Sequence, residues 1–129
     1  MNENKKRYLN PNDIALPRGY EIDIFWPELH IPINLMNTKA GDMLVADAGV
    51  LTGNGKVGKL TASGYQLIPD GFNPPLTGMN EYNGYIYVSH RGSINAIKPY
   101  GQKVNILTGL PSLGDHHNKR VVFGADGKM

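Results

Sequence analysis

Short apolar segments on either side of glycine-containing turns recur along the chain. The turn glycines Gly41, Gly84 and Gly127 are each 43 residues apart, and Pro32–Met36 align with Pro75–Met79 before the first two turns. Asp or Asn stands beside each glycine, which supplies the positive φ of a tight turn at little cost. Apolar residues follow the first two turns, so the pattern predicts a β-hairpin in each copy.

Two further strands are predicted in each repeat. Apolar stretches lie between the hairpins, with turns at Ser63-Gly64 and Tyr100-Gly101; the stretches are 57–60, 65–68, 93–97 and 104–107. Four antiparallel strands every 40–45 residues or so are typical of a propeller blade. The predicted fold class is therefore all-β, a β-propeller fragment of about two four-stranded antiparallel blades plus the start of a third.

The repeats divide the chain into a polar amino-terminal segment, residues 1–15, and an incomplete propeller domain, residues 16–129. Alternation over 20–26 predicts one more strand before the first hairpin. The third copy ends two residues after Gly127, so we expect the chain to be a piece of a larger propeller. Its bare blade faces would then meet the remaining blades or other copies of the chain.

Composition narrows the classes of function. The chain is 40% hydrophobic and 19% charged with a net charge of +2, which is typical of a globular domain. Its one basic run, Lys5-Lys6-Arg7, is read as a solvated end, so nucleic acid is not an expected partner. It has no cysteine. Its first twenty residues contain no apolar run of seven or more, so neither a signal peptide nor a membrane span is predicted there.

Polar residues recur at matching places in the repeats. His30, Asn73 and His116 precede the inner strand of each hairpin, whereas Asp47 and His90 follow the second strand. Because a hairpin is antiparallel, the start of its first strand and the end of its second lie at one end of the sheet. We therefore expect all five residues to approach one face of the propeller, where such folds bind ligands.

The segment 114–118, Gly-Asp-His-His-Asn, is the strongest candidate for chemistry, since it contains no apolar residue that folding would bury. Adjacent histidines point to opposite sides of an extended chain and seldom share a metal, so a general base is preferred to a metal ligand. No metal ligand is assigned. The predicted catalytic residue is His116, with His117 as the alternative, and the predicted substrate-binding residues are Asp47, His90, Arg91, Asp115 and Asn118.

Three segments resemble the glucose and sorbosone dehydrogenase family of six-bladed propellers. They are residues 16–20, the hairpin at 32–47 and, above all, 110–128, which reads LPSLGDHHNKRVVFGADGK. The last segment has the family's pattern of His, a few polar residues, Arg, an apolar run and Gly-x-Asp-Gly. The resemblance covers roughly residues 16–129 and leans towards a periplasmic or extracellular location.

The resemblance implies a parent protein that oxidises a sugar or aldehyde with pyrroloquinoline quinone and calcium. Matched without a gap, the family's base, which takes the hydroxyl proton as hydride passes to the quinone, falls on His116, and a shift of one residue places it on His117. Contacts to quinone and calcium belong mainly to later blades of the family, so none is assigned in this chain. The fragment alone is expected to be inactive.

Two other classes of function remain open. A propeller of this kind can be a non-enzymatic module that binds protein or carbohydrate through the same face. A metal-dependent hydrolase of the gluconolactonase kind would instead need a carboxylate-rich centre, for which Asp47 alone gives little support.

Overall fold

The computed structural model describes residues 8–27 and 29–129, within which the chain forms two four-stranded sheets and one short 3-10 helix, Pro11–Asp13. The first sheet contains β1 (Pro32–Asn37), β2 (Met43–Asp47), β3 (Lys56–Thr61) and β4 (Gly64–Leu67). The second contains β5 (Leu76–Tyr82), β6 (Tyr85–His90), β7 (Ser93–Ile97) and β8 (Lys103–Thr108). In both, the strands pair antiparallel in chain order. The predicted all-β, blade-like architecture is confirmed; the basic run at residues 5–7 lies outside the described residues.

The glycine turns form where the sequence predicts them. β5 and β6 are joined by Asn83-Gly84, with φ of 49° and 77°, and two positive φ angles are typical of the type I′ turn that matches strand twist. β1 and β2 are joined by the five-residue loop 38–42, in which Thr38 N–H donates to the Asp42 carbonyl at 2.8 Å and Gly41 N–H to the Thr38 carbonyl at 2.9 Å.

The third copy repeats the turn of the first. Gly124 N–H donates to the Lys128 carbonyl at 2.8 Å, and Gly127 N–H donates to the Gly124 carbonyl at 3.0 Å. Residues 118–129 form no described strand, so this copy shows the predicted turn without a paired hairpin.

Turn length changes the register of the repeat. Leu35 pairs with Val45 in the first sheet, and Met79 pairs with Val88 in the second. The second strands keep the 43-residue spacing, but Leu35 and Met79 are 44 residues apart. The reason is that five residues separate Asn37 from Met43 in the first hairpin, whereas four separate the equivalent pair, Glu81 and Ile86, in the second. The sequence alignment of Pro32–Met36 with Pro75–Met79 was therefore wrong by one residue.

The strand predicted at residues 20–26 is also wrong, because this segment contains no described strand. It runs alongside the first sheet in irregular conformation, and the Trp26 ring lies close to Gly64. Tyr20 and Phe25 are largely exposed. An alternating pattern becomes a strand only where a sheet edge accepts its backbone hydrogen bonds, and no such pairing occurs here.

The core lies between the facing surfaces of the two sheets. Its members are at most 3% exposed, and they are Leu44, Ala46, Val57, Phe72, Leu76, Met79, Val88 and Ile97. The sheets are held at this contact because each apolar face covers the other. Among the described residues, no helix is long and apolar enough to cross a membrane.

We predict that Gly84→Ala lowers the free energy of unfolding by about 1–2 kcal/mol, because a side chain at φ 77° is strained. Nothing lies within 4 Å of the added Cβ, so the loss would report backbone strain alone. Urea denaturation measures it. Asn83→Gly is the control, since glycine tolerates the same left-handed conformation; equal destabilisation by both variants would contradict the assignment.

Candidate functional site

Strand pairing brings the predicted polar residues to one end of the sheets. Pro32 pairs with Asp47 in the first sheet, and Leu76 pairs with His90 in the second. Leu76 N–H also donates to the Ala48 carbonyl at 3.0 Å, which places the two sheet ends side by side. His30, Asp47, Asn73 and His90 therefore lie at one end of the sheets, and the roles of the predicted site residues stay predictions.

Asp47 is buried and holds the start of β1 against the end of β2. Its Oδ2 accepts hydrogen bonds from the backbone N–H groups of His30 and Ile31 at 3.1 and 3.2 Å, and its Oδ1 accepts one from Gly49 at 2.9 Å. Hydrogen bonds to a carboxylate are stronger than those between neutral groups. The pKa of Tyr65 is raised, mainly by burial and to a smaller extent by the negative charge of Asp47.

His90, 43 residues after Asp47, accepts the corresponding hydrogen bond from the backbone that precedes the inner strand of the second sheet. Its Nδ1 accepts a hydrogen bond from the backbone N–H of Asn73 at 3.1 Å, and its Nε2 bonds Asn95 Oδ1. An accepting Nδ1 and a donating Nε2 define a neutral imidazole. Burial lowers the pKa of His90; the Asn95 hydrogen bond opposes this, and the Lys103 charge adds to it.

Asn118 secures the third repeat to the second sheet. Its Oδ1 accepts from Gly92 N–H at 2.9 Å, and its Nδ2 donates to the carbonyls of His90 and Ser93 at 2.9 and 3.2 Å. Thr77 Oγ1 donates to the Asn118 carbonyl at 2.7 Å. These bonds fix one end of the loop that leads from β8 into the third repeat.

That loop, residues 109–117, presents the remaining candidates. Asp115 and His116 are exposed, and the side chain of His116 makes no hydrogen bond to the described residues. His117 is half-buried, with Nδ1 3.0 Å from the Ser112 carbonyl oxygen. Arg91 is exposed at the same end of the sheet. Within 8–27 and 29–129, no group of three or more His, Cys, Asp or Glu is placed to hold a metal ion.

The sequence reasoning missed Asn95, which fixes the tautomer of His90 and also donates to the Val104 carbonyl at 3.2 Å. The signal in the sequence was an amide between the apolar residues Ile94 and Ala96, five residues after the histidine. A polar side chain at such a position needs a buried partner.

The fold and this sheet end define an all-β protein of two blade-like sheets with its polar loops gathered on one side. Comparison with family models, curated proteins and solved structures found no significant match for the chain. The resemblance of residues 110–128 to the sugar dehydrogenases thus stays a prediction from the sequence.

We predict that Asp47→Asn lowers the free energy of unfolding by about 1–3 kcal/mol, because the amide NH₂ would face a backbone N–H that now donates to a carboxylate oxygen. Chemical denaturation at pH 7 measures the change. Asp115→Asn, the same substitution at an exposed site, should change it by less than about 0.5 kcal/mol. Similar losses in the two variants would contradict the role given to Asp47.

We predict that the free energy of unfolding falls as the pH drops below about 6.5, the ordinary pKa of histidine. The pKa of His90 is lowered in the folded chain, so the unfolded chain takes up this proton first and is favoured as the pH falls. Denaturation at several pH values between 7.5 and 5.5 measures the slope. His90→Gln should flatten it, and an unchanged slope in His90→Gln would refute the assignment.

Proposed function

We propose that the chain contributes two blades to a propeller that oxidises a sugar or aldehyde, with His116 as the base that takes the substrate's hydroxyl proton. The proposal is supported by the resemblance of residues 110–128 to the glucose and sorbosone dehydrogenases and by the blade-like sheets. The structural observation that carries it is the availability of the His116 ring.

Three histidine rings can be compared directly. His90 is buried, and both its nitrogens are bonded. His117 directs Nδ1 at the Ser112 carbonyl oxygen. His116 alone among these three has both ring nitrogens available at the surface. A general base must come within about 2.6–3.2 Å of the proton it accepts, and an exposed, unbonded imidazole can do so.

The other polar residues divide into two groups. Asp47, His90 and Asn118 direct their side chains to the backbone, and we assign them to holding the loops in place. Asp115 and Arg91 are exposed at the same end, and we assign them to hydrogen bonding with substrate hydroxyl or carbonyl groups. Binding residues on loops above a rigid sheet are a common arrangement.

Pyrroloquinoline quinone and calcium, which the resemblance implies for the whole propeller, do not fit the described residues. Calcium requires six to eight oxygen ligands, and the one buried carboxylate at this end, Asp47, already accepts three backbone hydrogen bonds. When bound, the quinone would supply the hydride acceptor, and no residue of this chain is assigned to it. The described residues also contain no group of three carboxylates or histidines placed to hold a metal, so they lend the hydrolase alternative no support.

The proposal is tested first by dye-linked oxidation of aldoses and aldehydes, in a propeller that contains this chain together with the blades that complete the ring, loaded with quinone and calcium. We expect His116→Asn to lower kcat about 10²–10⁴-fold, the usual contribution of a general base. His117→Asn, the matched control, should lower it far less. Equal losses, or a larger loss at His117, would move the base to His117.

The same site can be observed in the 129-residue chain. Titration with glucose should shift the imidazole proton resonances of His116 in NMR spectra and leave those of buried His90 in place. Sugar binding without turnover in the complete propeller would favour the non-enzymatic module. Turnover that needs a divalent metal but no quinone would favour the hydrolase.

A further inference from the structure

The dipeptide Asn-Gly occurs twice in the chain, at Asn54-Gly55 and at Asn83-Gly84. Asparagine is among the thermally labile residues, because a backbone nitrogen can attack its side-chain amide carbon. Glycine as the next residue favours this attack, since no Cβ shields its nitrogen and its backbone rotates freely. The two dipeptides are identical in sequence, so a difference in reactivity between them must come from the folded structure.

Asn54-Gly55 is held by hydrogen bonds at each of the groups that would react. Asn54 Oδ1 accepts a hydrogen bond from Gly71 N–H at 2.6 Å, and its Nδ2 donates to Asp70 Oδ2 at 3.1 Å. The backbone N–H of Gly55, the attacking group, donates to the Phe72 carbonyl at 2.9 Å. Gly55 is buried as well. Reaction here would break the bonds that join the first sheet to the segment between the two sheets.

Asn83-Gly84 lies exposed at the tip of the β5–β6 hairpin. The Asn83 side chain makes no hydrogen bond to any described residue, and the Gly84 N–H donates to none of them either. Nothing lies within 4 Å of the place where a Cβ on Gly84 would stand. The strands end at Tyr82 and Tyr85, so rotation of the turn backbone disturbs at most that last pair of the ladder.

We propose that Asn83 is a site of spontaneous deamidation in the folded chain and that the fold protects Asn54 from the same reaction. The Gly84 nitrogen loses its proton to solvent and bonds to Cγ of Asn83. Nδ2 leaves as ammonia, and a five-membered succinimide remains. Water then opens this ring at either carbonyl, which gives aspartate or isoaspartate. The net change is amide plus water to acid plus ammonia, without oxidation or reduction.

The two products differ in their effect on the turn. Aspartate keeps the length of the backbone, and Asp-Gly suits the same type I′ turn as Asn-Gly. Isoaspartate carries the main chain through its side-chain carbon, so the two-residue loop gains one backbone atom and fits the pairing of Tyr82 with Tyr85 less well. The hairpin matters to the whole chain, because β5 and β6 contribute Met79 and Val88 to the core.

The test is incubation of the purified 129-residue chain at mildly alkaline pH, followed by tryptic digestion and mass spectrometry. The two sites fall in separate peptides, 40–56 and 60–91, and fragment ions locate the modified residue within each. We expect Asn83 to react at least about tenfold faster than Asn54, since Asn54 must first lose two or more hydrogen bonds. In urea the contacts that restrain Asn54 are absent, so the two sites should react at similar rates.

Asp70→Ala is the matched variant, because it removes the acceptor of Asn54 Nδ2 at an exposed position. It should raise the rate at Asn54 and leave the rate at Asn83 unchanged. The proposal is overturned if Asn83 of the folded chain stays intact while the chain in urea is modified, or if Asn54 reacts as fast as Asn83 in the folded chain. Each readout is a peptide mass, so none depends on the proposed enzymatic activity.

Discussion

The contact between the two sheets is the interaction on which the rest of the structure depends. Leu44, Ala46 and Val57 of the first sheet bury Met79 and Val88 of the second, so each sheet supplies the cover that the other lacks. The linker between the sheets takes part, since it delivers Phe72 to this core. Because the linker is fixed there, β5 starts beside the end of β2, and the loops of both sheets gather at one end.

The repeat preserves a structural task while changing the residue that performs it. In the first sheet a carboxylate, Asp47, accepts the N–H groups of His30 and Ile31 just before β1. In the second sheet, the 44-residue offset of the inner strand puts Pro74 and Pro75 at those places, and proline has no N–H to donate. Only the backbone N–H of Asn73 then needs an acceptor there, and Nδ1 of the neutral His90 imidazole accepts its hydrogen bond.

Much of the fold could be predicted from the sequence because its signals are local. Asn83-Gly84 defines a tight turn by its own backbone preferences, and apolar alternation defines the strands around it. The one-residue shift of Leu35 against Met79 could not be predicted, because it follows from the lengths that two turns adopt after folding. The strand prediction for residues 20–26 was wrong for a related reason. Their alternating pattern suits a strand, but strand pairing depends on a sheet edge that other parts of the chain must supply.

The sequence predicted at which end of the sheets the polar residues lie, but it did not predict which of them hydrogen-bond to the backbone. Asp47, His90 and His116 look alike in sequence, as polar residues beside apolar strands. They differ in their hydrogen bonds. Strand pairing leaves several backbone N–H groups without an acceptor, and the side chains of Asp47 and His90 accept hydrogen bonds from these groups. A buried side chain that satisfies the backbone cannot be withdrawn without leaving an unpaired N–H. Under the proposed function, chemistry with a substrate falls to residues whose side chains the backbone does not use, such as the exposed His116.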